Sequence, residues 1–223
     1  MIKIGIIVFP GSNCDNDVRT ALNSLDNFQS ELIWHTNEDL TKYDAIVLPG
    51  GFSYGDRLRA GIIAAHSPIM KHLKKSANSG TPILGICNGF QILIESGLLP
   101  GGLLRNESLN FICQWTKTKI INNDTPFTKG FKNNQVVNIP IAHGEGRYVF
   151  DEIEKLRKHN QIVLQYHQDI NGSLDMIAGI CNEDKNVVGL MPHPERASFN
   201  YLSPEGLSND GLNFFLSLIK YLN

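Results

Sequence analysis

Cys87 stands in Gly85-Ile86-Cys87-Asn88-Gly89-Phe90-Gln91, between an apolar run at Ile83–Ile86 and an apolar stretch that reaches Glu95. The form is G-x-C-x-G, in which small residues on both sides permit a sharp strand-to-helix turn that lifts one side chain out of the sheet edge. A helix N-terminus at that turn favours the thiolate that attacks carbonyl carbon, and neighbouring backbone N–H groups are left free to bind an oxyanion. A lone cysteine in a strand is also commonly a small buried hydrophobe. Packing alone, however, requires neither flanking glycine.

A second cluster, Met191-Pro192-His193-Pro194-Glu195, follows the last apolar run of the chain. In extended backbone, residues two apart point the same way, and the prolines favour that conformation. Glu195 can then hold one ring nitrogen of His193 while the other faces a thiol. Nucleophile, base and orienter are the parts that acyl transfer needs. Taken alone, His-Pro-Glu reads more readily as a solvated surface loop. Both segments follow strands of one predicted parallel sheet, whose carboxyl edge is where ligands bind, and that shared placement favours catalysis.

Other polar residues carry less. His143, in Ala142-His143-Gly144-Glu145-Gly146-Arg147-Tyr148, lies in a glycine-bracketed segment that suits a substrate or partner contact, or a tight connection. His35, His66, His72, His159 and His167 have no companion at metal-ligand spacing, so no metal is expected. Gly50-Gly51-Phe52-Ser53-Tyr54-Gly55-Asp56 is glycine-rich but lacks the Lys-Ser/Thr of a phosphate loop, so ATP binding by this chain is not expected.

The elements that would hold these residues are legible as apolar runs. Ile2–Val8 is nearly continuous and rich in β-branched residues, the mark of a strand covered on both faces. Asn13 or Asp15 can cap a helix through Val18, Ala21, Leu22 and Leu25, and residues 31–34 return as a strand. Residues 44–48 form a third strand, 59–75 a helix interrupted at Pro68, and Ile83–Ile86 a fourth strand. Alternation of this kind predicts an α/β fold, a doubly wound, mostly parallel sheet with helices on both faces. Residues 111–121, 136–141, 161–166 and 176–181 are strand-like with little helix between them and suggest a small antiparallel extension, with Asn171-Gly172 as a tight turn. Val187–Leu190 is a last strand, and Ser208 or Asn209 can cap a final helix carrying Leu212, Phe215, Leu216 and Ile219. With no linker or repeat, residues 1–223 read as one domain.

Composition narrows the function. A net charge of −2 without a dense basic block argues against nucleic acid as a partner. The run at residues 4–9 is too short to cross a bilayer and ends at Pro10-Gly11, so neither a membrane span nor a signal peptide is expected. Cys14, Cys87, Cys113 and Cys181 form no C-x-x-C pair, which disfavours a disulfide scaffold or zinc ribbon and suits a reducing cytoplasm.

Taken in order, the Pro-Gly-Gly loop, the G-x-C-x-G-x-Q elbow and His-Pro-Glu resemble the class I, triad-type glutamine amidotransferases. The segments 9–15 and 140–148 sharpen the likeness to the branch that serves as glutaminase subunits of phosphoribosylformylglycinamidine synthase in purine biosynthesis. The resemblance implies Cys87 as nucleophile, His193 as acid and base, and Glu195 as its orienter. It implies an oxyanion hole from the N–H groups of Gly51 and Asn88, and a part for Gln91 in holding the glutamine. It also implies a large partner synthase subunit carrying ATP and Mg, with a small subunit bridging the complex, and no cofactor in this chain. Two other readings share the elbow: a Cys-His peptidase, which would need an extended cleft, and a catalytically silent regulatory subunit. Cys14 falls in a matching segment with no role beyond packing near the sheet edge.

Overall fold

The computed structural model describes residues 1–37, 39–207 and 210–223. In chain order the elements are β1 (Ile2–Val8), α1 (Asp15–Asn23), β2 (Phe28–Trp34), β3 (Ala45–Leu48), α2 (Ile69–Asn78), β4 (Ile83–Ile86) and α3 (Asn88–Glu95). Then follow β5 (Gly102–Leu104), β6 (Ile112–Ile120), β7 (Val136–His143), β8 (Arg147–Val149), α4 (Ile153–Lys158), β9 (Ile162–Tyr166), β10 (Ile177–Cys181), β11 (Val187–Leu190) and α5 (Leu212–Leu222).

One nine-stranded sheet runs β2-β1-β3-β4-β11-β10-β9-β6-β7. The pairings from β2 through to β11 are parallel, and those from β11 to β7 are antiparallel. The antiparallel extension expected from sequence is therefore part of the same sheet and supplies four strands to it. β5 and β8 pair separately. Every residue of β3, β4, β10 and β11 is buried, because helices and loops cover both faces of this central region. β7 instead alternates, with Val137, Ile139, Ile141 and His143 buried on one face. That alternation carries an imidazole into the core at the end of the strand. Among the described residues, no helix is long and apolar enough to cross a membrane.

Several boundaries differ from the sequence reading for local reasons. Helix α1 is capped by Cys14, not by Asn13 or Asp15, and no side chain bonds to its first turn; the Asn13 carboxamide instead accepts from the Cys14 thiol. The region 59–75 does not form one interrupted helix. Gly61 takes φ +82 and lies so close to α3 that a Cβ there would sit 2.8 Å from the Ile92 nitrogen, and α2 begins only after Pro68. Asn171-Gly172 is no two-residue hairpin. Gly172 does take the left-handed φ of +78, but within a longer connection spanning residues 167–176. The β10–β9 register shifts at Gly179, and β10 shows no alternation because all five of its residues are buried. Ser208 and Asn209, read as caps for the last helix, lie outside the described residues.

Candidate active site

Strand β4 ends at Ile86 and α3 begins at Asn88, leaving Cys87 alone to reverse the chain. It does so at φ 49 and ψ −102, a conformation that costs a non-glycine residue about 1–3 kcal/mol and persists only where its surroundings enforce it. Two glycines provide the space. A Cβ on Gly85 would lie 2.7 Å from the Gly89 carbonyl carbon, and one on Gly89 would overlap the Leu48 carbonyl oxygen of β3. The Cys87 N–H donates to the Leu190 carbonyl at 2.7 Å, which continues the β4–β11 register of Gly85 with Gly189 and Ile86 with Leu190. The thiol is 5% exposed and points to the Ala142 carbonyl, 3.6 Å away.

The candidate base, His193, follows the neighbouring strand. After β11, Met191 donates its N–H to Ala178 and His193 donates its N–H to the Pro140 carbonyl at 2.9 Å, so the turn is tied down on both sides. His193 Nδ1 and Glu195 Oε1 are 2.6 Å apart, with both residues buried. The carboxylate can only accept, which places the proton on Nδ1 and leaves Nε2 without a partner among the described residues. Burial opposes a charged imidazole. The Glu195 carboxylate, aided by Cys87 and Cys14, outweighs it and holds His193 well above its ordinary pKa. A ring held above its ordinary pKa beside the Cys87 sulfur is suited to carrying a proton on Nε2 and donating it to a leaving group.

Sequence reading also named Gly51, Asn88 and Gln91. Gly51 bridges to Ser12 at φ +153, so tightly that a Cβ would be 2.8 Å from the Gly11 carbonyl oxygen. The flanking bonds, Phe52 N–H to Gly11 and Asn13 N–H to Gly50, make this a pair whose central N–H points away from the partner. Neither the Gly51 N–H nor the Asn88 N–H meets an acceptor among the described residues. The side chains of Asn88 and Gln91 are occupied. Asn88 accepts from the Ser53 N–H at 3.2 Å and donates to Gln91 Oε1 at 2.9 Å, while Gln91 Nε2 donates to the Glu145 carbonyl at 2.7 Å. Gln91 thus braces the loop after β7 through its Nε2, while Asn88 holds its oxygen.

Asp56 and Tyr166 were not identified as site residues from sequence, whereas His143 was named there as a substrate or partner contact or part of a tight connection. Asp56 faces Asn88 at 3.4 Å, and burial together with the Glu145 charge pushes its carboxyl up to about 6. His143 is buried, with Nδ1 at 3.0 Å from Asn106 Oδ1; burial and the charge of His193 lower it to about 4. Asn106 spends its Nδ2 on the Asn110 and His143 carbonyls, so its oxygen is the acceptor and His143 carries its proton on Nδ1. The period-two pattern along β7 is the signal that places the His143 ring in the core. Tyr166 is buried beside Cys87, its hydroxyl without a partner among the described residues, and burial raises its pKa. Cys14, His193 and Glu195 bring ligand-type atoms within 4.8 Å of one another. Arg196 already donates to the Cys14 sulfur and Glu195 already holds His193, an arrangement that does not fit a cation. A separate cavity of about 430 Å³, lined by Trp115, Pro140, Phe199 and Tyr201, opens behind Glu195 and Arg196 and does not include Cys87.

Against known proteins, the model of the CobB/CobQ-like glutamine amidotransferase domain matches residues 1–222. The structure of PurLQS from Thermotoga maritima aligns with 46% identity and a TM-score of 0.91, covering 100% of this chain and 99% of that one. The acivicin-bound glutaminase domain of Trypanosoma brucei CTPS, at 13% identity, covers 99% of this chain and 94% of its own with a TM-score of 0.63. Another glutamine amidotransferase from Thermotoga maritima, at 17% identity, covers 99% of this chain and 97% of its own with a TM-score of 0.61. The last two show a shared fold.

Proposed function

The chain belongs to the CobB/CobQ-like glutamine amidotransferase domain family, and from that premise we propose that Cys87, His193 and Glu195 hydrolyse glutamine as the glutaminase subunit of phosphoribosylformylglycinamidine synthase. The observation that carries the reading is the buried His193–Glu195 pair set beside a cysteine held at φ 49 on the adjacent parallel strand.

The Cys87 thiolate adds to the side-chain amide carbon of glutamine, and the N–H groups of Gly51 and Asn88 receive the oxyanion. His193 gives its Nε2 proton to the departing nitrogen, releasing ammonia and leaving a γ-glutamyl thioester. Water then adds to the thioester; His193 takes its proton, Cys87 leaves as thiolate and glutamate is released. Glu195 holds the ring and its charge through both steps. Gln91 acts on the substrate pocket through the Glu145 backbone that it braces. Cys87 is 5% exposed, which suits a side-chain amide on a flexible stem.

The ammonia serves a large synthase subunit, which supplies ATP and Mg, and a small subunit bridges the complex. The 46% identity to a protein of the PurLQS complex supports this assembly. A reducing cytoplasm suits the four unbridged cysteines. The test is intact mass after treatment with a diazo-ketone glutamine analogue, for wild type and Cys87→Ser, each alone and with the synthase subunits. A single adduct, lost in Cys87→Ser and formed faster with the partners, is expected. No adduct on wild type in either state would remove the assignment.

A further inference from the structure

We infer that Cys14 is a positioning residue for the proposed reaction: its thiol, held between Arg196 and Gly50, fixes the spacing between His193 and the Gly51 N–H. The inference rests on the glutaminase reading above.

Cys14 is 1% exposed at the N-terminus of α1, and its side chain caps nothing there. Its main-chain N–H donates to the Gly50 carbonyl at 3.1 Å, and that of Asn13 to the same oxygen at 3.3 Å. The start of α1 is thereby stitched to the residue preceding Gly51. Its sulfur accepts from Arg196 Nη2 at 3.1 Å, while its S–H is directed to Asn13 Oδ1 at 3.2 Å. Arg196 follows Glu195 directly in the chain, and its Nε lies 3.7 Å from Asp17 in the first turn of α1. One guanidinium therefore ties the turn bearing the base to the helix that holds the oxyanion strand.

Gly50 shows how closely these parts are pressed together. A Cβ on it would sit 2.7 Å from His193 Cε1, 3.1 Å from the Cys14 sulfur and 3.4 Å from His193 Nδ1. The sulfur and the imidazole thus meet across a bare Cα, with nothing between them able to absorb a shift. If Cys14 shrinks to a methyl group, Arg196 loses its acceptor and the ring gains room to tilt away from Cys87. The main-chain bonds at Gly50, and hence Gly51, stay where they are. The two halves of the catalytic geometry are then free to separate. Misplacement on the order of 1 Å in a reacting constellation costs about 10²-fold in rate.

The test is steady-state glutamine hydrolysis by Cys14→Ala, Arg196→Gln and the double variant, in the presence of the synthase subunits, with Cys87→Ser in parallel. The clamp predicts that kcat falls by about ten- to a hundredfold in Cys14→Ala while KM stays within about threefold, because the loss lies in transition-state alignment. Arg196→Gln, which leaves the buried thiol intact, should show the same loss, and the double variant should be no worse than either single one. Three results would overturn it: a folded Cys14→Ala with kcat within about twofold of wild type, losses that multiply in the double variant, or a rise in KM with kcat preserved. Residual glutamine hydrolysis by Cys87→Ser would instead remove the glutaminase reading, and so separates the two failures.

Discussion

Glu195→Gln keeps the shape of the side chain that holds His193 and removes its charge. In wild type the carboxylate and the imidazole are 2.6 Å apart at their contacting atoms and are screened from water, with Glu195 only 1% exposed. Unit charges centred about 4 Å apart at an effective dielectric near 20 attract by about 4 kcal/mol. That attraction favours the charged ring. Once it is lost, burial is the dominant remaining influence, and it acts to lower the pKa of His193. The variant base should therefore titrate below the ordinary histidine range and be neutral at working pH, with kcat reduced by about 10³-fold and KM within about threefold. The carboxamide could also present its NH₂ to Nδ1 and impose the wrong tautomer, which would deepen the loss. Two measurements check this: glutamate release across about pH 5 to 10, and an NMR titration of the isotope-labelled His193 ring. If His193 titrates where it does in wild type, or if kcat stays within about tenfold, Glu195 does not set the charge of the base and the electrostatic account fails.

The backbone at Cys87 makes glycine the better substitute for it. Cys87→Gly should be about 1 kcal/mol more stable than Cys87→Ala in urea denaturation, reversing the usual order, because only glycine adopts φ 49 and ψ −102 without strain. Equal stability would mean that the turn carries no strain. His143 introduces an acid lability of its own. Its folded-state pKa of about 4 lies below its ordinary 6.5, so as pH falls the unfolded chain binds the proton first and stability is lost between those two values. The wild type should lose about 2 kcal/mol between pH 7 and pH 5 at this residue, and His143→Gln should lose correspondingly less. Identical acid limbs in denaturant titrations would contradict the assignment.

What could be read from sequence was whatever depended on neighbours in the chain. The strands 2–8, 83–86 and 187–190 are apolar because both their faces are covered, and the elbow glycines lie within two residues of the cysteine they serve. The His193–Glu195 contact spans two positions, short enough for extended-chain geometry to anticipate. The contacts that escaped are long-range and polar. Arg196 reaches Cys14 across 182 positions and His143 meets Asn106 across 37, and no periodicity encodes either. The three-residue strands β5 and β8 are too brief to show alternation, and the six-residue α4 completes less than two turns. The caps of α1 were misassigned because a polar side chain at a helix start is only an offer, and here Asn13 was already engaged with the thiol next to it.

The place of β11 in the sheet bears on when activity can arise. This strand lies between β4 and β10, yet it leaves the ribosome after all of the other ten described strands. Until it inserts, the strand carrying Cys87 has an open edge, His193 has no fixed position, and the Leu190 carbonyl that anchors the Cys87 N–H is missing. Cys87 is therefore synthesised well before the strand that sets His193 beside it. The Cys87–His193 juxtaposition is complete only once β11 has entered the sheet. The same arrangement leaves an unpaired apolar strand waiting longest for its partner, which makes the closing of that gap the step at which slowed synthesis or folding would favour aggregation.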